Sequence, residues 1–187
     1  MRKLKLQVQM SIDGFISGTN GEMDWLTFDW SEDLKEYVRR LTDPVDTILL
    51  GRKLAEGFIP HWTEALQSPE PEEGAEKFVH TPKVVFTKTL TTSEWDNTVL
   101  AKGDLLEEIN ILKNSEGRDL IVYGGSKFVS SLIKENLIDE LHLFINPVVL
   151  GNGLAIFQSV NTKQNYKLVD VHKFNCGIVV LCYKSIK

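Results

Sequence analysis

The apolar run Leu120-Ile121-Val122-Tyr123 stops at Gly124-Gly125-Ser126 and gives way to a helical stretch, Lys127 to Asn136. A strand, a turn free of side chains and a helix N-terminus in immediate succession constrain the chain more than any other feature. Bare backbone amides and the positive end of the helix dipole point at one spot, and glycine lets an anionic group approach the main chain. Such a turn can hold a nucleotide pyrophosphate. It can equally be a tight strand-to-helix connection that binds nothing, so the rest of the chain has to decide.

Leu4, Leu6, Val8 and Met10 alternate with Lys5, Gln7 and Gln9, the period of a half-buried strand, which stops at Ser11-Ile12-Asp13-Gly14. Ser31 can cap a helix with Glu32 and Asp33 in its first turn and Leu34, Tyr37, Val38 and Leu41 at helical spacing. Thr47 to Leu50 and Lys83 to Thr87 read as buried strands, with a second helix starting at Gly51-Arg52. Ser68 to Gly74 is a polar, Pro-rich loop. Asp104 to Lys113 is a helix with Leu105, Ile109 and Leu112 on one face. Strands alternating with helices imply a mainly parallel sheet. Glu140 to Val149, Tyr166 to Phe174 and Ile178 to Tyr183 have no helix between them, so antiparallel pairing is expected at one edge. Nothing divides the 187 residues, and one α/β domain over 1–187 is the expectation.

Composition removes several classes of function. A formal net charge of -5 leaves no broad basic surface for nucleic acid. Cys176 and Cys182 lack CxxC spacing, and His61, His80, His142 and His172 are scattered, so neither a disulfide nor a metal site is expected. Gln7 and Gln9 break up any signal-peptide core, and no segment approaches a membrane span, which makes a cytoplasmic protein the expectation.

In an open α/β sheet, ligands collect at the carboxyl ends of the parallel strands. Three such ends carry Gly51-Arg52, Thr87-Lys88 and Gly124-Gly125-Ser126. Together they provide two cations, two hydroxyls and three glycines, which suits a dinucleotide with several phosphates. Singly, Arg52 reads as a surface ion pair and Lys88 as a solvated loop lysine. GxxxxGK[ST] does not occur, and Gly151-Asn152-Gly153 lacks the third glycine of a Rossmann fingerprint.

The ordered set Ser11-Ile12-Asp13-Gly14-Phe15-Ile16, Leu49-Leu50-Gly51-Arg52, Val84 to Leu90, Gly124-Gly125-Ser126, Leu137 to Leu141 and Pro147 to Gly153 resembles the dihydrofolate reductase-like superfamily. Within it, the chain is similar to the C-terminal reductase domain of the bifunctional riboflavin-biosynthesis deaminase-reductase. The resemblance implies a central, mostly parallel sheet flanked by helices with antiparallel C-terminal strands, NADPH as cofactor, and a homodimer. It also implies an enzyme most like 5-amino-6-(5-phosphoribosylamino)uracil reductase or a dihydrofolate reductase, passing hydride to a pterin-like or ribosylaminopyrimidine substrate. By resemblance, Gly51, Arg52, Thr87 and Lys88 hold the adenosine 2′-phosphate side, and Gly124, Gly125 and Ser126 the pyrophosphate. Asp13 and Gly14 lie in the loop over the nicotinamide, Asp13 being otherwise a turn residue. The HxE and PCxxC motifs of the deaminase half do not occur, Leu54 stands where many relatives have threonine, Ala55 where an aromatic is usual, and Lys88 where arginine is frequent.

For the proton, Asp33 borders the apolar stripe of the first helix and can look into a cleft beside the core, with Asp13 or water as the alternative source. In dihydrofolate reductases a carboxylate comes from the corresponding helix, although a first-turn acid also complements the helix dipole. Trp25 is either a wall of the substrate pocket or a core residue. Two functions follow: an NADPH-dependent reductase of a small heterocycle, or a non-catalytic dinucleotide-binding protein that keeps the fold.

Overall fold

The computed structural model describes residues 1–186. The chain runs β1 (Leu4–Met10), α1 (Glu32–Thr42), β2 (Val45–Gly51), α2 (Arg52–Gln67), α3 (Ala75–His80), β3 (Lys83–Phe86) and β4 (Thr98–Ala101). It continues through α4 (Leu105–Asn114), β5 (Asp119–Val122), α5 (Ser126–Lys134), β6 (Glu140–Ile145), β7 (Tyr166–Lys173) and β8 (Val179–Ser185). The strands form one sheet in the order β4-β3-β2-β5-β1-β6-β8-β7. From β4 to β6 every pair is parallel, and β8 runs antiparallel between β6 and β7. This is the α/β architecture expected, with its antiparallel pairs at one edge.

Three details differ from the sequence reading. β4 and α3 were not expected: four and six residues are too few for a hydrophobic period to stand out. The Glu140 segment ends at Ile145 and pairs in parallel with β1 as well as antiparallel with β8. The helix after the glycines starts one residue early, at Ser126, and stops at Lys134, because Asn136 takes a left-handed φ of 51°.

Two apolar layers hold the sheet. On one face Leu4, Leu6, Val8 and Met10 of β1 pack with Leu49, Leu120, Val122, Leu141 and Leu143 against Ile109 of α4 and Val129, Leu132 and Ile133 of α5. Burying one such aliphatic side chain contributes roughly 1.5–3 kcal/mol before chain entropy is counted. The other face is split. Leu34 and Leu41 of α1 cover Phe144, Val180 and Cys182 of β6 and β8, while Ala55 and Ile59 of α2 cover Ile48, Leu50, Val85 and Ile121 of β2, β3 and β5. Between these clusters lies β1, which turns Lys5, Gln7 and Gln9 to this face. Alternation therefore leaves a polar strip down the middle of the sheet.

Candidate functional site

α2 and α5 begin directly at the carboxyl ends of β2 and β5, which are neighbours in the sheet with Leu49 opposite Val122. Their N-cap residues are Gly51 and Gly125, and neither helix start has a side-chain cap. α4 shows the alternative: Asp104 accepts from the Leu106 and Glu107 amides at 2.9 and 3.2 Å. Two adjacent helix starts thus keep their first-turn amides free of side-chain acceptors, which is how a backbone site for an anion is built. Gly125 sits at φ 80°, ψ 93°, a conformation that L side chains rarely adopt. Gly51 is glycine for another reason: a Cβ there would stand 2.9 Å from Phe128 Cβ, so α5 could not pack this close to β2. Leu54 lies beneath the turn, its Cδ2 3.9 Å from where a Gly124 Cβ would sit.

The neighbouring cations have partners. Arg52 Nη1 donates to Glu56 Oε1 at 2.6 Å, one turn along α2. Lys88 Nζ donates to the carbonyls of Lys102 and Gly103 at 2.8 and 2.7 Å. Thr87 is buried, and its Oγ1 accepts from the Thr89 and Leu90 amides at 3.1 and 3.0 Å, shaping the turn after β3. Of the expected phosphate-binding residues, the structure brings Gly51, Arg52, Gly124, Gly125 and Ser126 to adjacent strand ends. Thr87 and Lys88 lie at the next one, where β3 pairs with β2.

Both expected acids, Asp33 and Asp13, are engaged by backbone amides. The Asp33 carboxylate accepts from the Asn175 amide at 3.2 Å and the Leu34 amide at 2.9 Å, and the Ser31 hydroxyl accepts from the Cys176 amide at 3.3 Å. The turn between β7 and β8 is thereby docked on the start of α1: the Asp33 carboxylate meets that turn, and Ser31 is the N-cap residue of α1 as expected, without a side-chain cap bond. Hydrogen bonding, first from Ser31 and then from these amides, holds Asp33 below the usual carboxylate range. Asp13 accepts from the Leu150 and Gly151 amides at 3.1 and 2.7 Å, and the Ser11 hydroxyl followed by those amides lowers its carboxyl too. Its loop does reach the strand ends, joined to the segment after β6 by Ile12 N to Val148 O at 2.8 Å and by the Ser17–Leu154 bridge.

Trp25 is half-buried, with Nε1 donating to Glu22 O at 3.1 Å. Two residues along, the Thr27 amide donates to Asn146 Oδ1 at 3.0 Å, and Asn146 Nδ2 donates to Gln9 Oε1 at 2.8 Å. A fully buried asparagine at the end of β6 and a glutamine of β1 therefore seat the loop that carries Trp25. Neither Gln9 nor Asn146 stood out in the sequence as a residue of the site. The available signal was Gln7 and Gln9 themselves, polar at alternate positions of a strand, a pattern read only as a solvent-facing side.

A surface cleft of ≈ 650 Å³ lies elsewhere, at the amino ends of β2, β3 and β5. Arg2 there is taken up by Asp46 and Thr47, and Lys77 by the Val45 carbonyl. It lacks the glycine turns and open helix starts of the carboxyl edge. No group of residues suited to a metal ion occurs among the described residues, and no described helix is long and apolar enough to cross a membrane.

YyaP, an uncharacterized protein of Bacillus subtilis, is 36% identical over 187 residues, covering 97% of this chain and 94% of that protein. A Thermotoga maritima diaminohydroxyphosphoribosylaminopyrimidine deaminase/5-amino-6-(5-phosphoribosylamino)uracil reductase superposes with a TM-score of 0.71 at 19% identity, over 99% of this chain and 57% of that one. Dihydrofolate reductase from Enterococcus faecalis, complexed with NADP(H), superposes with a TM-score of 0.60 at 18% identity, over 99% and 97%. These two likenesses give the fold, a dihydrofolate reductase-like sheet. The sequence model of the RibD C-terminal domain matches residues 2–180, and the chain belongs to that family.

Proposed function

We propose that this chain is an NADPH-dependent reductase of a small nitrogen heterocycle, most like the reduction of 5-amino-6-(5-phosphoribosylamino)uracil. The observation that carries the reading is the pair of helix starts without side-chain caps, at Gly51 and Gly125, on adjacent carboxyl ends of β2 and β5. Amides directed at one place and the summed helix dipoles suit a pyrophosphate. Gly124, Gly125 and Ser126 would hold it, with Arg52, Thr87 and Lys88 toward the adenosine 2′-phosphate. The bound dinucleotide supplies the hydride; the chain's own contribution is position and hydrogen bonds to the substrate. The loop of Asp13 closes one side of the edge, and the Trp25 loop, seated by Asn146, closes another. With Asp13 and Asp33 both engaged by amides, the proton comes from water admitted at the edge.

The test is a titration of the protein with NADPH, followed by addition of the ribosylaminopyrimidine while the absorbance of the reduced nicotinamide is recorded. Binding and substrate-dependent oxidation are expected. Failure to bind either nicotinamide cofactor refutes the reading. A second reading, a dinucleotide-binding protein without turnover, draws on Asp13 and Asp33, the two acids considered for the proton, both being engaged by backbone amides. Binding without oxidation on any pyrimidine or pterin would favour it.

A further inference from the structure

The charges at the carboxyl edge of the sheet are sorted by sign. The turns that leave β2, β3 and β5 lead at once to Arg52 and Lys53, to Lys88 and to Lys127. The segments that leave β1 and β6, residues 11–31 and 146–160, hold no lysine or arginine, and neither does the turn 174–178 between β7 and β8. In that half stand Asp13, Glu22, Asp24 and Asp29, followed by Glu32 and Asp33 at the start of α1. Hydrogen bonds, first from Ser11, Asn20, Lys35 and Ser31, hold Asp13, Glu22, Glu32 and Asp33 in turn below the usual carboxylate range, so these four are charged at neutral pH.

The helix starts follow the same division. α2 and α5 have no acid in the first turn, whereas α1 has two, and its Leu34 amide is taken by Asp33 Oδ1 at 2.9 Å. The dipole at the start of α1 is therefore already met by its own carboxylates. Two lysines border this half. Lys35 is paired with Glu32 at 2.8 Å and with Glu73 at 3.4 Å, and Lys173 stands on β7, the outermost strand.

Position along the sheet says which ligand group meets which half. With the 2′-phosphate side of the dinucleotide toward β3 and its pyrophosphate at β2 and β5, its nicotinamide end falls at the next strand ends, those of β1 and β6. The ring to be reduced meets it there. What the loops leave in water at those ends is apolar. Ile12 and Val149 are exposed on segments joined by Ile12 N to Val148 O. Phe28 is 72% exposed, between the Thr27 amide bonded to Asn146 and its own carbonyl bonded to the Trp30 amide. Exposed apolar side chains at a ligand edge are what a flat, uncharged ring covers on binding.

We infer that the heterocycle reduced by this chain carries no phosphate: the half of the edge that receives it offers apolar side chains among carboxylates and repels a phosphoribosyl group. The inference rests on the reductase reading and narrows it, keeping the ring chemistry of the ribosylaminopyrimidine and setting aside its phosphate.

The test measures NADPH oxidation with two matched pairs, the ribosylaminopyrimidine with and without its 5′-phosphate and dihydroneopterin with and without its 3′-phosphate. In the pair that is turned over, the phosphate-free member is expected to have the higher kcat/KM by about tenfold or more, the low end of what a surface of one sign does to a charged substrate. The gap should shrink at about 1 M salt, where charges are screened beyond roughly 3 Å. Asp24 and Asp29 are exposed acids beside Trp25 and Phe28, and Asp24→Asn with Asp29→Asn should narrow the gap severalfold. The rate on the phosphate-free member should stay within about twofold in that variant. Equal or better turnover of the phosphorylated member, a gap indifferent to salt, or a gap unchanged in the double variant each overturns the inference and leaves the reductase reading standing. Turnover of none of the four overturns it together with the reductase reading on which it rests, so the two failures are told apart.

Discussion

Asp13 and Gly151 stand 138 positions apart in the chain, and Asp13 Oδ2 accepts a 2.7 Å hydrogen bond from the Gly151 amide. With the Leu150 amide at 3.1 Å it closes a clasp between the loop after β1 and the segment after β6, both at the carboxyl edge of the sheet. Asp13 is expected to control how tightly this edge shuts. Asp13→Ala should speed amide hydrogen exchange at Leu150 and Gly151 and raise the KM for cofactor severalfold, with little change in global melting. Because the folded carboxyl is held below its ordinary range, the clasp is complete above that range and opens as pH falls through the lowered value. Unchanged exchange in Asp13→Ala would show that the loops are joined without it.

The ion pair of Arg52 with Glu56 bears on cofactor choice. If Arg52 swings from Glu56 to a 2′-phosphate on binding, Arg52→Met should cut the preference for NADPH over NADH by about tenfold or more, since hydrogen bonds to charged groups are worth roughly 1.5–3 kcal/mol. Glu56→Gln should strengthen the preference by freeing the guanidinium. Dissociation constants for both cofactors decide this, and equal values in wild type would contradict it.

Gly125 is constrained by its φ of 80° as well as by any ligand. Its would-be Cβ has room, with Leu54 Cβ 3.7 Å away, so Gly125→Ala isolates the backbone effect. The substitution should lower stability by about 1–3 kcal/mol through strain and weaken NADPH binding at least tenfold. Gly125→Val should be worse on both counts. Urea unfolding alongside a cofactor titration measures the two together, and normal NADPH binding by Gly125→Ala would place the anion elsewhere.

Asp33 is expected to matter for stability more than for turnover. Asp33→Ala removes the acceptor for the Asn175 amide and should lower the melting temperature while kcat stays within about twofold, far from the 10²–10⁴-fold effect of a lost general acid. Its carboxyl is held low, so the stabilising contact is present at neutral pH and lost in acid. A steep fall in kcat with an unchanged melting temperature would restore Asp33 as the proton source.

Glu140 sets a further acid limit. His142 beside it, then Lys3 at 3.0 Å, bring its carboxyl down to about 2. A lowered value stabilises the fold above the ordinary carboxylate pKa and is lost as pH falls through the folded one. Glu140→Gln should therefore cost of order 2 kcal/mol at pH 6 and converge with wild type toward pH 2. Chemical denaturation at a series of pH values checks this, and a pH-independent difference would assign the loss to packing.

The alternation of β1, the stripe Leu34, Tyr37, Val38, Leu41, and the run ending at Gly124-Gly125-Ser126 determined strands, helices and a parallel sheet, because burial imposes its own period on each element. The glycine turn and the residues beside it were legible for the same local reason, since a strand end, a side-chain-free turn and a helix start are contiguous in the chain. What only the tertiary structure decided is which long-range partner each polar group meets. Asp33 bonds to Asn175, Asp13 to Gly151, Arg52 to Glu56 and Lys88 to two carbonyls, and of these only the pair one helical turn apart is visible as a spacing. Gln7 read as the solvent side of a strand because period two tells the faces apart without saying what covers them. The sheet order places β1 between β5 and β6, and that central position is what buries Gln7 on a face whose period alone would have put it in solvent.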